Sequence, residues 1–128
     1  MDIQNQIDYW LNSADQNLSA AEAMLKSDHY DWCLFIGHLA LEKALKAAFI
    51  KNMEEIPPKT HNLVFLAEKA GLKIDNEKLK FLFEVNTFNI ETRYADYKSE
   101  FYKKCTREFT EENIKQIKEV YQWIKEQI

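Results

Sequence analysis

The amino-acid sequence predicts an all-α protein: an antiparallel up-and-down bundle of four to five helices, in a single domain covering residues 1–128. Three observations predict it. Apolar residues recur at steps of three and four along most of the chain, the period of an amphipathic helix. Only two Gly and two Pro interrupt the chain, which is sparse for a loop-rich or all-β protein. No segment sustains the alternation of apolar and polar residues that marks a strand.

The first two predicted helices account for the amino-terminal part of the chain. Helix one begins near Ile3, and its apolar stripe ends around residues 26–28. Helix two begins near Tyr30 and is apolar on almost every face. It must stop by about Met53, because the two prolines at 57–58 cannot continue a helix.

Three further helical patterns follow. Thr60 is the predicted N-cap of the third helix, and Gly71 is its predicted stop. Asp75 is the predicted N-cap of the fourth helix, which ends somewhere within residues 85–90. Thr110 is the predicted N-cap of the last helix, which runs to the end of the sequence.

Residues 91–108 show no helical stripe and are therefore predicted to be a long loop. The segment holds four aromatic residues and both arginines of the chain, Arg93 and Arg107. A loop of this length inside a compact domain is often functional. Its aromatic residues would also serve simply to cover one end of the bundle, and the sequence leaves both interpretations open.

The composition excludes several classes of function. A net charge of −4 and an isoelectric point near 5.4 disfavour broad, non-specific binding of nucleic acid, which needs a basic surface. They leave room for a small cationic pocket. No cluster of histidines and carboxylates has the spacing of a metal site, so neither a metal nor a cofactor is predicted.

Cysteine usage and hydropathy predict a cytoplasmic protein. Cys33 falls in the apolar second helix and Cys105 in a polar stretch, without a CxxC pair, so both are expected to be reduced thiols. No apolar run is long and charge-free enough to span a membrane, so no membrane partner is expected.

A line of polar residues runs along the otherwise apolar second helix. At about 100° per residue, His38, Glu42 and Lys46 fall on one face, and Lys43 points about 60° further round, toward solvent. Charges are costly in a core unless something pairs them. The line therefore requires an explanation.

Three explanations are open on spacing alone. The face could be solvated, with the lysine stems reaching out of an apolar setting. Glu42 could pair with a cation from another segment, for which Arg93 is the best candidate. The line could also form one wall of a polar groove that meets Lys59, His61 and the Arg93 segment and receives an anionic ligand.

Four pieces of the chain together resemble the HEPN family, named for higher eukaryotes and prokaryotes nucleotide-binding. They occur in the family's order and span nearly the whole sequence: a first helix with Trp10 and a run of alanines leading to Tyr30-Asp31-Trp32, LEKALKA at residues 41–47, a THxL element at residues 60–63, and a TRY element at residues 92–94 followed by Asp96.

The resemblance implies a helical bundle, commonly a homodimer, that often works beside a small nucleotidyltransferase. Some members belong to toxin–antitoxin pairs, and many proteins of the superfamily are metal-independent ribonucleases. Others bind nucleotides or partners without cleaving anything.

The sequence departs from the family pattern in two places. Ala95 follows the TRY element, where Pro is usual. Nuclease members carry an R-x4-6-H motif, whereas all three histidines here precede both arginines. The motif is absent, so no catalytic residue is predicted and a ribonuclease toxin is the least favoured function.

The leading hypothesis is a non-catalytic module that binds a nucleotide or an RNA end in a small polar cleft. The lysines would supply charge, the arginine a bidentate phosphate contact and a tyrosine a stacking surface. The predicted ligand-binding residues are Lys46, Lys59, His61, Arg93, Tyr94 and Tyr97. The predicted supporting network, in which Glu42 holds Arg93, consists of His38, Glu42, Lys43 and Asp96.

Two alternatives remain. The protein could be a purely structural partner subunit without a ligand, in which the polar line fixes helix register or partner choice. It could also cleave RNA with His61 as acid–base group beside Lys59, Arg93 and Tyr94, provided that these segments converge.

Overall fold

The computed structural model describes residues 2–128, and this part of the chain is helical apart from the connections between helices, of which that at residues 54–62 is the longest. The helices are α1 Ile3–Lys26, α2 Tyr30–Met53, α3 Leu63–Lys69, α4 Asn76–Arg93, α5 Ala95–Lys104 and α6 Arg107–Glu126. The predicted all-α bundle is confirmed, with six helices instead of four to five. No helix among the described residues is long and apolar enough to cross a membrane.

Helix α2 is the centre of the bundle. It packs against α1, α3, α4 and α6, and it is buried on nearly all sides. Gly37 lies where α6 packs against α2, since a Cβ atom there would stand 2.9 Å from Ile117 Cδ1 and 3.2 Å from Ile114 Cδ1. The predicted bounds of α1 and α2 agree with the structure to within two residues.

The predicted cap of the third helix is wrong by two residues. Thr60 Oγ1 accepts a hydrogen bond from the backbone N–H of Asn62, and it is Asn62 Oδ1 that accepts from Phe65 N at 3.1 Å. Thr60 thus shapes the turn before the helix, while Asn62 is the N-cap. Gly71 follows the helix with φ of +70°, a left-handed conformation that glycine adopts without strain.

The prediction of a long loop at residues 91–108 is also wrong. Helix α4 continues three residues beyond the predicted limit, to Arg93. Tyr94 is extended, and α5 then begins at Ala95. Only Phe101 of α5 is buried and the helix is polar overall, so its sequence signal is weak.

The last helix begins four residues before its predicted start. Thr106 is the N-cap, and its Oγ1 accepts from Phe109 N at 3.1 Å. Thr110 is buried instead and donates its hydroxyl proton to Thr106 O at 2.7 Å. Both threonines can cap a helix, and the position of the buried Phe101–Cys105 turn decides between them.

Both cysteines are buried and unbonded. Burial disfavours the thiolate and raises the pKa of each thiol to about 12. They are inert core residues at neutral pH.

Candidate functional site

The polar line of α2 is buried. His38, Glu42 and Lys46 expose 0%, 5% and 8% of their surface. A solvated face is therefore excluded for these three residues, and each of them finds a partner inside the protein. The hydrogen-bond partners lie in α2 itself, in the segment before α3 and in α4.

Glu42 does not pair with Arg93, contrary to the prediction. Its Oε2 accepts from Lys46 Nζ at 3.0 Å, and its Oε1 accepts from His61 Nδ1 at 2.7 Å. Lys46 Nζ also lies 5.3 Å from the centre of the Trp10 ring, a favourable position for a cation. The buried carboxylate is thus compensated within its own helix, and it fixes the orientation of His61.

His38 bonds to the same segment through the backbone. Its Nε2 lies 2.8 Å from the carbonyl oxygen of His61, and its Nδ1 lies 3.5 Å from Nδ2 of Asn89 in α4. Burial disfavours the imidazolium and lowers the pKa of His38 to about 4, although the neighbouring Glu42 carboxylate opposes the shift. His38 is therefore neutral at pH 7.

Arg93 is held by Asn89, one turn earlier in α4. The Nε–H donates to the Asn89 carbonyl oxygen at 3.0 Å, and Nη2 donates to Asn89 Oδ1 at 2.5 Å. The guanidinium carbon lies 5.6 Å from the centre of the Tyr94 ring and 5.9 Å from that of Phe35. Sequence reasoning missed Asn89. Its signal was a short amide four residues before an arginine, on the same helix face.

These residues border a groove between the segment before α3 and the carboxyl-terminal half of α4. The groove has a volume of about 390 Å³, in the range of small-ligand sites. Two chain segments provide its lining: Thr60, His61 and Asn62 on one side, and Asn86, Asn89, Ile90, Arg93 and Tyr94 on the other. None of these lining residues carries a carboxylate.

A pair of asparagines joins the two sides of the groove. Asn86 Oδ1 accepts from the backbone N–H of Leu63 at 2.8 Å, and Asn86 Nδ2 donates to Asn62 Oδ1 at 3.1 Å. Both amide oxygens are thereby occupied by protein donors. The amide protons of Asn62 remain for a ligand, so this end of the groove offers donors.

Three of the six predicted ligand-binding residues lie together in the groove: His61, Arg93 and Tyr94. Lys46 lies behind it in the core, and Lys59 is an exposed residue just before it. Tyr97 borders a separate depression with Thr87, Ile90 and Glu91.

Of the four residues in the predicted supporting network, two lie behind the groove and two lie elsewhere. His38 and Glu42 support the groove wall from behind. Lys43 is half-buried, not in solvent, and donates to Ser13 Oγ of α1 at 2.7 Å. Asp96 is exposed at the start of α5. Within residues 2–128, no group of three or more His, Cys, Asp or Glu side chains is arranged to hold a metal ion.

Comparisons with known proteins point to one family. The family model described as HEPN domain matches residues 7–127. Among solved structures, TT1696 from Thermus thermophilus is 21% identical, with a TM-score of 0.83 over 97% of this chain and 99% of its own. ST0689, an archaeal HEPN homologue, is 17% identical, with a TM-score of 0.72 over 94% and 96%. These likenesses concern the fold. No curated protein matches the sequence.

Proposed function

Because the chain belongs to the HEPN domain family, as its sequence motifs predicted, we propose that it is a non-catalytic binding module whose groove takes a nucleotide or the end of an RNA. The observation that carries the proposal is the chemistry of the groove lining: a guanidinium and free amide protons near an imidazole, with no carboxylate among the lining residues. Such a donor set suits a phosphate group.

Arg93 is the phosphate contact in this proposal. A guanidinium has five N–H groups, and Asn89 occupies one on Nε and one on Nη2. Three remain, one on Nη2 and two on Nη1, so both terminal nitrogens can still donate to a pair of phosphate oxygens. The net charge of −4 does not oppose this, since the negative side chains are absent from the lining.

His61 and Tyr94 complete the proposed site. The His61 ring donates through Nδ1 to Glu42, so Nε2 of the neutral ring is an acceptor for a hydroxyl or amino group of the ligand, and 59% of the side chain is exposed. Tyr94 is 55% exposed at the other wall and offers a ring face on which a base can stack.

We also propose that the protein forms a homodimer and works with a separate small nucleotidyltransferase. This part of the proposal rests on the assembly and partner that are common in the family. Exposed apolar side chains in and beside the groove support it, since Ile90 and Tyr97 are 48% and 54% exposed.

A structural partner subunit is the second candidate. The observation that favours it is the buried network of His38, Glu42 and Lys46, whose partners are all found within the protein. Such a network can serve helix register alone.

Thermal unfolding with a panel of ligands tests the binding module. We expect a nucleoside mono-, di- or triphosphate, or a short RNA, to raise the Tm by several degrees, because a ligand at 100 times its Kd adds about 2.7 kcal/mol. Arg93→Ala should abolish this shift. Arg107→Ala is the matched control, because Arg107 bonds to Tyr30 and Asp28 away from the groove.

The panel also discriminates between the two candidates. A Tm that no member of the panel changes, together with loss of stability in Arg93→Ala, would refute the binding module and favour the structural subunit. A shift that survives in Arg93→Ala would place the ligand elsewhere on the protein.

A further inference from the structure

His38 bonds to both walls of the groove from inside the bundle. It reaches the His61 carbonyl oxygen in the wall before α3 and the Asn89 side chain in the α4 wall. No other residue described above bonds to both walls and is itself outside the groove lining. Elementary hydrogen-bond chemistry determines which atom donates and which accepts in each contact of His38.

The carbonyl oxygen of His61 determines the first donor and acceptor. A carbonyl oxygen only accepts, so the proton of the neutral His38 ring must be on Nε2, and Nδ1 carries a lone pair. A lone pair requires a donor, so Asn89 presents its NH2 group to His38. The amide oxygen of Asn89 is then on the opposite side, where it accepts from Arg93 Nη2.

The two ends of the Asn89 amide are not interchangeable. Turned round, the amide would place its oxygen against the lone pair of His38 and its NH2 group against the guanidinium. Both contacts would become repulsive, because like hydrogen-bonding groups would face each other. The proton position on His38 therefore selects the orientation of Asn89, and that orientation supplies the acceptor for Arg93.

We propose that His38 and Asn89 are positioning residues for the groove: they form a relay that fixes the guanidinium of Arg93, although His38 does not touch Arg93. The relay itself can be tested without any ligand. Its effect on affinity rests on the proposed function, because only a ligand that uses Arg93 would register it. Holding one long side chain in place before binding improves affinity by roughly three- to tenfold.

Nuclear magnetic resonance can detect the relay directly, since the chain has only two arginines and three histidines. In the wild type we expect His38 to be the Nε2–H tautomer, and we expect hindered rotation of the Arg93 guanidinium about its Nε–Cζ bond. Arg107 is an internal reference, because its exposed guanidinium lies in another part of the fold.

Two variants of His38 make a matched pair. In His38→Gln the terminal amide reaches the Nε2 position, so the bond to the His61 carbonyl can form but the acceptor for Asn89 is lost. In His38→Asn the amide lies at the Nδ1 position, where its oxygen can accept from Asn89. We expect faster rotation of Arg93 in His38→Gln and in Asn89→Leu, and slow rotation, as in the wild type, in His38→Asn.

A control and a titration complete the experiment. His29→Gln, at an exposed histidine outside the groove, should leave the Arg93 signals unchanged. With adenosine 5′-monophosphate as the probe, His38→Gln should raise the Kd about three- to tenfold, whereas His29→Gln should not.

The two proposals fail in different ways. If Arg93 rotates as slowly in His38→Gln as in the wild type, the relay is refuted whether or not a ligand binds and whatever Asn89→Leu shows, because Asn89→Leu removes a direct partner of Arg93. If the variants release Arg93 but neither adenosine 5′-monophosphate nor any member of the ligand panel binds to the wild type, the relay is upheld and the proposed function is refuted.

Discussion

Glu42 places a carboxylate inside the bundle, in contact with Lys46 and His61. Removing its charge by Glu42→Gln leaves the Lys46 ammonium buried without a counter-charge. We therefore expect a loss of about 3–5 kcal/mol in the free energy of unfolding, measured by urea denaturation. Glu126→Gln, at an exposed position, should change it by less than about 0.5 kcal/mol.

A double variant tests whether the pair or the single charge matters. Glu42→Gln combined with Lys46→Met removes both charges, and we expect it to recover part of the loss, because no unpaired ion then remains in the core. If the double variant is less stable than the sum of both single losses predicts, the buried-charge explanation is refuted.

His38 makes stability depend on pH. Its pKa is about 4 in the folded protein, below the ordinary value of 6.5, so the unfolded chain binds a proton more readily. The stabilisation by the neutral ring is complete above pH 6.5 and is lost as the pH falls toward 4, by about 3 kcal/mol in all. Urea denaturation at pH 7 and pH 4.5 should show a larger drop for the wild type than for His38→Gln. Equal drops in both proteins would contradict the assignment.

At the scale of elements, Gly37 sets the distance between α2 and α6. A Cβ atom would stand closest to the terminal Cδ1 methyl groups of Ile117 and Ile114, which can move, and in ordinary contact with Ile117 Cγ2. The gain in helix propensity from Gly37→Ala, about 1 kcal/mol, should offset the closer contact and leave stability nearly unchanged. Gly37→Leu should cost about 1–3 kcal/mol through overpacking. Thermal unfolding of both variants measures these changes in stability. A Gly37→Leu variant with the Tm of the wild type would mean that α6 packs less closely against α2 at this position.

Helix α5 shows why a sequence pattern can fail to predict an element. Long helices such as α1 bury a periodic stripe, and their bounds were predictable for that reason. In α5 only Phe101 is buried, and the helix is short and mostly polar, so it buries no stripe comparable to that of α1. The cap of α6 was missed for a related reason: Thr106 and Thr110 are equally good caps by residue type, and only the packing of the preceding turn decides between them.

For the whole molecule, the bundle follows from the apolar period and from the scarcity of Gly and Pro, both visible in the sequence. The site was predictable in part. The aligned positions of His38, Glu42 and Lys46 follow from helix geometry alone. Which cation meets Glu42 depends on how the segment before α3 crosses α2, and no local pattern contains that information. Asn89 was missed because its signal, an amide four residues before Arg93, is weak without the contact to His38 that only the fold brings about.

The walls of the groove come from residues 60–62 and 86–94, yet α2 connects them from behind through the side chain of His38. Grafting those two segments onto another helical scaffold would therefore transfer the lining residues but not His38, which orients them. A peptide copy of either wall would likewise lack the fixed guanidinium. The arrangement of the groove is a property of the assembled domain, so a transplant of it has to include the central helix.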